Sequence, residues 1–296
     1  MIPVICAKNT DRWVEQLNRA AGQTRYQAGL IKDARVAVFS GDCSEQLASM
    51  PNLEWAHCTY AGVEQALAHS SVPIARLIDP QLSKRMSQSV LAACLDYCQH
   101  GQTYRQQQSR NEWQPHTQRL AEEVQVLILG SGELGQAAAR VLMSAGFKVA
   151  THSRRAKALP WPHFSKLGVE VVGGADIVIN LMPDTPQTRG FINTDFLSQM
   201  KSMAALVNFG RGSAVVTADV LAALDSDALG YALLDVFAKE PLDAHDPLWR
   251  HPKVQIWPHV SATTQIDTAA RLINAHIERF LNDATWPPLV DRNRGY

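Results

Sequence analysis

The sequence predicts an α/β protein, a doubly wound parallel sheet accompanied by a second, smaller α/β domain. Three observations lead there. Between about residues 124 and 258, short β-rich apolar runs alternate with helix-length segments, the pattern of a parallel sheet covered by helices. The runs themselves (124–129, 148–151, 176–181, 204–208, 231–235 and 254–257) are continuously apolar, as strands buried on both faces should be. The chain has 296 residues, more than one compact core usually holds.

Taken in order, the first part predicts strands at 4–6, 35–39 and 54–58 and helices at 11–20 and 44–48. Residues 81–108 predict one crossing helix, with Met86, Val90, Leu91, Cys94, Leu95 and Cys98 spaced for one face. A small-residue helix follows at 136–145. The stretch 167–176 is compact and leaves little room for a crossover helix. A last helix, 263–281, places Ala269, Leu272, Ile273, His276 and Phe280 on one side and carries the chain back. These elements predict one domain from residues 1–80 with 266–296, a second from 81–265, and a cleft between them.

Composition narrows the partners. Basic and acidic residues balance at 28 each, which removes the footprint of a nucleic-acid or membrane-surface binder. No apolar run reaches the length of a bilayer span, and Met1 to Cys6 reads as a first strand and not a signal peptide. Cys6, Cys43, Cys58, Cys94 and Cys98 are odd in number and lack paired C-x-x-C spacing. They read as free thiols of a cytoplasmic protein, with no metal site. A small molecule is the expected partner.

Gly130-Ser131-Gly132-Glu133-Leu134-Gly135 is a G-x-G-x-x-G run that directly follows a predicted strand and opens a predicted helix. In that setting the first glycine allows the tight turn, the second lets backbone approach a pyrophosphate, and the third permits close helix–strand contact. This predicts a dinucleotide-binding Rossmann domain. The acidic residue that would bind the ribose 2′-hydroxyl of NAD, about 20 positions on, is absent. Thr151-His152-Ser153-Arg154-Arg155 stands there instead. A hydroxyl and two guanidinium groups suit a 2′-phosphate, so NADPH is expected to be preferred over NADH. The alternative is that the arginines are solvated loop charges.

Three later segments lie at or beyond the ends of predicted strands: 206–212 with Arg211, 234–242 with Glu240, and 257–264 with His259. Reduction of a 2-oxo acid needs a cation for the carboxylate, a proton donor for the carbonyl oxygen and a group that holds that donor charged. Arg211, His259 and Glu240 match these needs. Each taken singly also reads as an ordinary surface or loop residue.

With the glycine run, Ala61-Gly62-Val63-Glu64, Ser153-Arg154, 180–183 with 185–188, 208–212, 235–242, 247–249 and Pro258-His259, the sequence resembles the D-isomer-specific 2-hydroxyacid dehydrogenases, and among them the glyoxylate/hydroxypyruvate reductases. The resemblance spans essentially the whole chain. It implies a flavodoxin-like first domain, a homodimer formed through the long crossing helix, and closure of the domains during hydride transfer. By the same resemblance Arg211 binds the substrate carboxylate, His259 is the acid/base and Glu240 bonds the imidazole, favouring imidazolium. Backbone amides of Ala61, Gly62 and Val63 resemble a second carboxylate anchor. Leu181, Pro183 and Thr188 look like cofactor-loop contacts, and Asp235 resembles the residue holding the nicotinamide carboxamide.

The chain departs from its relatives after the second predicted strand, where Phe39-Ser40-Gly41-Asp42 replaces a tryptophan and prolines. That puts the substrate at issue and leaves the reaction type alone. The expectation is NADPH-dependent reduction of glyoxylate or hydroxypyruvate. The alternatives are a dinucleotide sensor without turnover, since fold does not fix function, and a dehydrogenase for another 2-hydroxy acid, including a phosphorylated one.

Overall fold

The computed structural model describes residues 1–295. The chain divides into two compact units, Met1–Leu82 with the chain from Thr264 onward, and Ser83–Thr263. The breaks fall within two residues of the 80/81 and 265/266 boundaries read from sequence.

The first unit contains β1 (Ile2–Cys6), α1 (Thr10–Ala21), β2 (Tyr26–Ala28), β3 (Val36–Ser40), α2 (Ser44–Ala48), β4 (Trp55–Cys58), α3 (Glu64–His69) and β5 (Ile74–Ala75). Its five strands are all parallel in the order β2-β1-β3-β4-β5, the flavodoxin-like order. The carboxyl-terminal helix, here α10 (Ile266–Asp283), packs against α1 on this sheet. It buries Ala269, Ala270, Ile273, Asn274, Ile277 and Phe280. The face is therefore rotated from the one read in sequence: Ile277 joins it, while Leu272 and His276 lie at its margin. Each fully buried isoleucine or phenylalanine here stabilises the unit by about 1.5–3 kcal/mol, so a charge at Ile277 would detach the helix. Strands β2 and β5, three and two residues long, and helix α3 were not anticipated, because such short pieces carry no readable period.

The second unit contains α4 (Pro80–Cys98, which begins just before the break), α5 (Gly101–Ser109), β6 (Gln125–Leu129), α6 (Glu133–Ser144), β7 (Lys148–His152), β8 (His163–Phe164), α7 (Val169–Gly173), β9 (Ile177–Asn180), α8 (Thr194–Gln199), β10 (Ala204–Asn208), α9 (Thr217–Asp225), β11 (Leu229–Leu234) and β12 (Val254–Ile256). The parallel order β12-β11-β10-β9-β6-β7-β8 is that of a doubly wound Rossmann sheet. Its switch point lies between β6 and β9, where nucleotides bind outside the strand carboxyl ends. Strands β9 and β10 are buried throughout, which explains their unbroken apolar composition.

Two expectations are corrected. The single helix over 81–108 is two helices, because His100 adopts a left-handed φ of 55° and ends the first. Leu95 also leaves the buried face and is exposed. The crossover before Asp176 does contain a helix, α7, of only five residues. One turn and a half fits where a longer helix would not. Among the described residues, no helix is long and apolar enough to cross a membrane, all five cysteines are free, and no group of His, Cys, Asp and Glu is arranged to hold a metal.

Candidate active site

The glycine run forms the turn from β6 into α6. Gly130 has φ 106°, a left-handed conformation that side chains strain to adopt. A Cβ on Gly135 would lie 1.8 Å from the Gly130 carbonyl oxygen, so any larger residue would push α6 off the turn. Gly132, at the helix N-cap, has open space where a Cβ would point and no side-chain cap. A twelve-residue helix that presents its amino end to such a clearing fits a pyrophosphate by dipole and backbone N–H groups together. Glu133 and Leu134 occupy the first turn, with Leu134 packed partly against the core.

At the end of the neighbouring strand β7, Ser153 is half-buried and Arg154 and Arg155 are exposed. Arg154 Nη1 donates to Gln187 Oε1 at 3.3 Å, joining this loop to the one after β9. Sequence reasoning missed three contributors. Lys157 reaches back to the Ser131 carbonyl of the glycine turn, adding a third cation. His163, on the edge strand, lies 3.2 Å from Ser153 Oγ. Gln187, within the 185–188 segment, is the acceptor for Arg154. A basic residue two positions beyond Arg155 was the one signal available for Lys157.

The loop after β9 carries Leu181, Pro183 and Thr188. Thr188 Oγ1 donates to the Pro183 carbonyl at 2.7 Å and accepts the Thr185 N–H at 2.9 Å, so its hydroxyl fixes the loop's own shape. Two buried asparagines at paired positions of β9 and β10 set this loop and the next. Asn180 Nδ2 donates to Asn208 Oδ1 at 2.8 Å, while Asn180 Oδ1 accepts the Met182 N–H at 3.0 Å. Asn208 Nδ2 in turn donates to the Arg211 carbonyl at 3.2 Å. Arg211 leaves the end of β10 with Nη1 donating to the Gly210 carbonyl at 2.9 Å. Nearby, burial opposes ionisation of Asp184. Hydrogen bonds from Arg189 and Ser213, with the charges of Arg189 and Arg211, outweigh it and hold the carboxyl below its usual range.

Glu240 and His259 meet. His259 Nδ1 lies 2.8 Å from Glu240 Oε2, and Glu240 Oε1 accepts the Phe237 N–H at 3.0 Å. An ionised carboxylate only accepts, so the Nδ1 proton points to Glu240 and Nε2 is left to face a reactant. The imidazole is about half exposed, open enough for a small molecule to reach it. His259 sits at a left-handed φ of 55°, held there by Asp235 at the end of β11. The carbonyl of Asp235 accepts the His259 N–H, and its buried carboxylate accepts from Val260 and Ser261. Arg211, Glu240 and His259 thus all issue from carboxyl ends of neighbouring strands β10, β11 and β12. Ala61, Gly62 and Val63 belong to the first unit, between the end of β4 and α3.

Residues 91–261 match the NAD-binding domain of the D-isomer specific 2-hydroxyacid dehydrogenases. Solved structures agree over the whole chain. A D-isomer specific 2-hydroxyacid dehydrogenase from Xanthobacter autotrophicus Py2, in complex with NADPH and MES, is 32% identical over 100% of this chain and 99% of its own, with a TM-score of 0.93. An NADPH-dependent glyoxylate/hydroxypyruvate reductase from Sinorhizobium meliloti, with NADP and sulfate, is 30% identical over 100% and 99%, with a TM-score of 0.91. A probable 2-hydroxyacid dehydrogenase from Rhizobium etli CFN 42, with NADP, HEPES and L(+)-tartaric acid, is 27% identical over the same shares, also at 0.91. With a strand-end His–Glu pair on the same sheet as a Rossmann nucleotide turn, the chain belongs to the D-isomer specific 2-hydroxyacid dehydrogenase family and is an NAD(P)-dependent oxidoreductase.

Proposed function

We propose that this enzyme uses NADPH to reduce a short 2-oxo acid, glyoxylate or hydroxypyruvate, to the 2-hydroxy acid. The observation that carries the reading is the 2.8 Å bond between His259 Nδ1 and Glu240 Oε2, which aims a ring nitrogen outward as a proton donor. Arg211 binds the substrate carboxylate and polarises the carbonyl. Ala61, Gly62 and Val63, in the first unit, offer backbone N–H groups as an anchor for a carboxylate. His259, as imidazolium, delivers its Nε2 proton to the carbonyl oxygen and becomes neutral; Glu240 stabilises the charged ring before the transfer. When bound, the dihydronicotinamide supplies the hydride.

The coenzyme reading is supported by Ser153, Arg154 and Arg155 at the end of β7 and by the absence of an acid there. Gly130, Gly132, Glu133, Leu134 and Gly135 hold the pyrophosphate, and Leu181, Pro183 and Thr188 shape the wall beside it. Asp235 lies at the nicotinamide end and orders the His259 loop. The two NADP complexes at 27% and 30% identity and the NADPH complex at 32% are in keeping with this choice. A homodimer formed through α4, on which Leu95 stands exposed, and a cytoplasmic setting in keeping with five free cysteines complete the reading.

The test is oxidation of NADPH and of NADH with glyoxylate, hydroxypyruvate and pyruvate in turn, for the wild type and His259→Ala. Turnover of one of the first two acids with NADPH, abolished by the substitution, is expected. Absence of turnover with every short 2-oxo acid would overturn the substrate class.

A further inference from the structure

The edge of the second sheet carries a side-chain network that the reaction itself does not use. Strand β8 is two residues long and pairs in parallel with β7, setting His163 opposite Thr151. The buried Thr151 hydroxyl accepts the indole N–H of Trp161 at 3.1 Å. Its own hydrogen is then directed to His163 Nδ1, 2.9 Å away. With Nδ1 accepting, the proton of the neutral ring sits on Nε2. That nitrogen lies 3.0 Å from the Arg155 carbonyl oxygen, which can only accept, and 3.2 Å from Ser153 Oγ. Ser153 Oγ also donates to the Arg155 carbonyl at 3.1 Å. One imidazole thus closes the turn whose hydroxyl and guanidinium groups distinguish the two coenzymes.

We propose that His163 is a positioning residue for coenzyme choice, locking the turn at 153–155 in the shape that receives the 2′-phosphate of NADPH. The proposal rests on the NADPH reading above. The chemistry follows from geometry. Ser153 and Arg155 are tied through His163 to Thr151 on the buried strand, Arg154 is tied to Gln187, and Lys157 is tied to the glycine turn. A turn fixed before binding does not have to be ordered by the ligand, and the gain falls on the ligand that uses it. NADH, with a bare 2′-hydroxyl, makes little use of this turn. His163 is tied to the coenzyme-phosphate turn and not to the loops that carry Arg211, Glu240 and His259, so its effect belongs to affinity and not to turnover.

The experiment compares wild type, His163→Leu, His163→Gln and Arg154→Ala by titration with NADPH and NADH and by steady-state kinetics with glyoxylate. His163→Leu is expected to raise the NADPH Kd about tenfold, the order of one lost hydrogen-bond clamp, to move the NADH Kd less than about twofold, and to leave kcat at saturating NADPH within about twofold. His163→Gln, whose amide N–H can reach the Arg155 carbonyl, should recover most of the NADPH affinity. A purely structural residue would shift both coenzymes together. Equal shifts, or no shift, in a folded His163→Leu protein overturn the proposal. If the leucine variant does not fold, His163→Asn decides: it stays polar at the edge strand but falls short of the carbonyl, so an NADPH-selective loss supports the proposal and an equal or absent loss overturns it. Arg154→Ala separates the two readings. If it weakens NADPH alone while His163→Leu does not, only the role of His163 falls. If it weakens both coenzymes equally, the NADPH reading falls and takes this one with it.

Discussion

Asp235 holds Ser261 twice: its carboxylate accepts the Ser261 hydroxyl at 2.6 Å and the Ser261 N–H at 3.1 Å. The other oxygen accepts the Val260 N–H at 2.7 Å, and the Asp235 carbonyl takes the N–H of His259. One residue at the end of β11 therefore grips three successive residues of the next strand's loop. This is how a half-exposed histidine keeps a left-handed backbone: the strain at His259 is offset by charge-assisted hydrogen bonds to a fully buried carboxylate.

Ser261→Ala removes one of those bonds without placing a charge in the core. We expect stability to fall by about 1.5–3 kcal/mol and kcat to fall about tenfold as the imidazole loses its fixed aim, with NADPH affinity little changed. Thermal melts and steady-state kinetics on the same preparation check this. A variant with full kcat would show that the Ser261 bonds do not aim the ring.

His259 and Glu240 should separate by magnitude. On the proposed mechanism His259→Gln removes the proton donor, and it is expected to lower kcat/KM by about 100- to 10,000-fold. Glu240→Gln keeps an acceptor for the Phe237 N–H but loses the charge, and should cost about 10- to 100-fold. Both should bind NADPH as the wild type does, measured by fluorescence titration. Equal losses would make the pair a single unit in which the ring is useless without the carboxylate.

Asp176, at the amino end of β9, is nearly buried. It accepts from the Gln125 N–H at 2.9 Å, Lys201 at 2.6 Å and Arg119 at 3.2 Å. Burial opposes its ionisation, but these bonds outweigh it and hold the carboxyl below its usual range. A depressed carboxylate stabilises the fold above its unfolded value, near 3.9, and the contribution is lost as pH falls through the folded value. Asp176→Asn is therefore expected to cost about 3 kcal/mol at pH 7, with the gap to wild type closing below about pH 4. Denaturant titrations stepped from pH 7 down to about pH 2 follow the gap as it closes.

His57 and His276 give a slope of the same sign over a higher pH range. His57 is fully buried; its Nδ1 donates to the Cys58 carbonyl at 2.8 Å and its Nε2 accepts from His276 Nδ1 at 3.1 Å. Burial pushes His57 down to about 3, against the upward pull of the Cys58 carbonyl, and the neighbouring His276 adds to the lowering. The unfolded chain takes a proton near pH 6.5 and the folded one refuses it, so stability is full above pH 6.5 and declines toward pH 3 by about 1.4 kcal/mol per unit. His57→Gln should melt lower than wild type at pH 7.5 but show a flatter dependence between pH 6.5 and 4. Parallel curves for the two proteins would assign the acid sensitivity elsewhere.

The strands of the second unit were legible because burial on both faces writes an unbroken apolar run into each of them, as in β9 and β10. The nucleotide turn was legible for a related reason. Gly130 and Gly135 stand where backbone leaves no room for a side chain, and such a demand admits one residue type. Strands β2, β5 and β8 were not legible, since two or three residues at a sheet's edge carry no period.

Local sequence thus determined the wound sheet, the glycine turn, and that an arginine, a glutamate and a histidine follow successive strands. Tertiary structure decided how those groups are held. Parallel register brings Asn180 against Asn208 and Thr151 against His163, and the order of β11 and β12 brings Asp235 beneath Ser261. Each pair lies 12 to 28 residues apart in the chain. The physical reason is that a hydrogen bond across a sheet depends on which strands become neighbours, and that choice is made by the packing of the whole layer and not by either residue's surroundings in sequence.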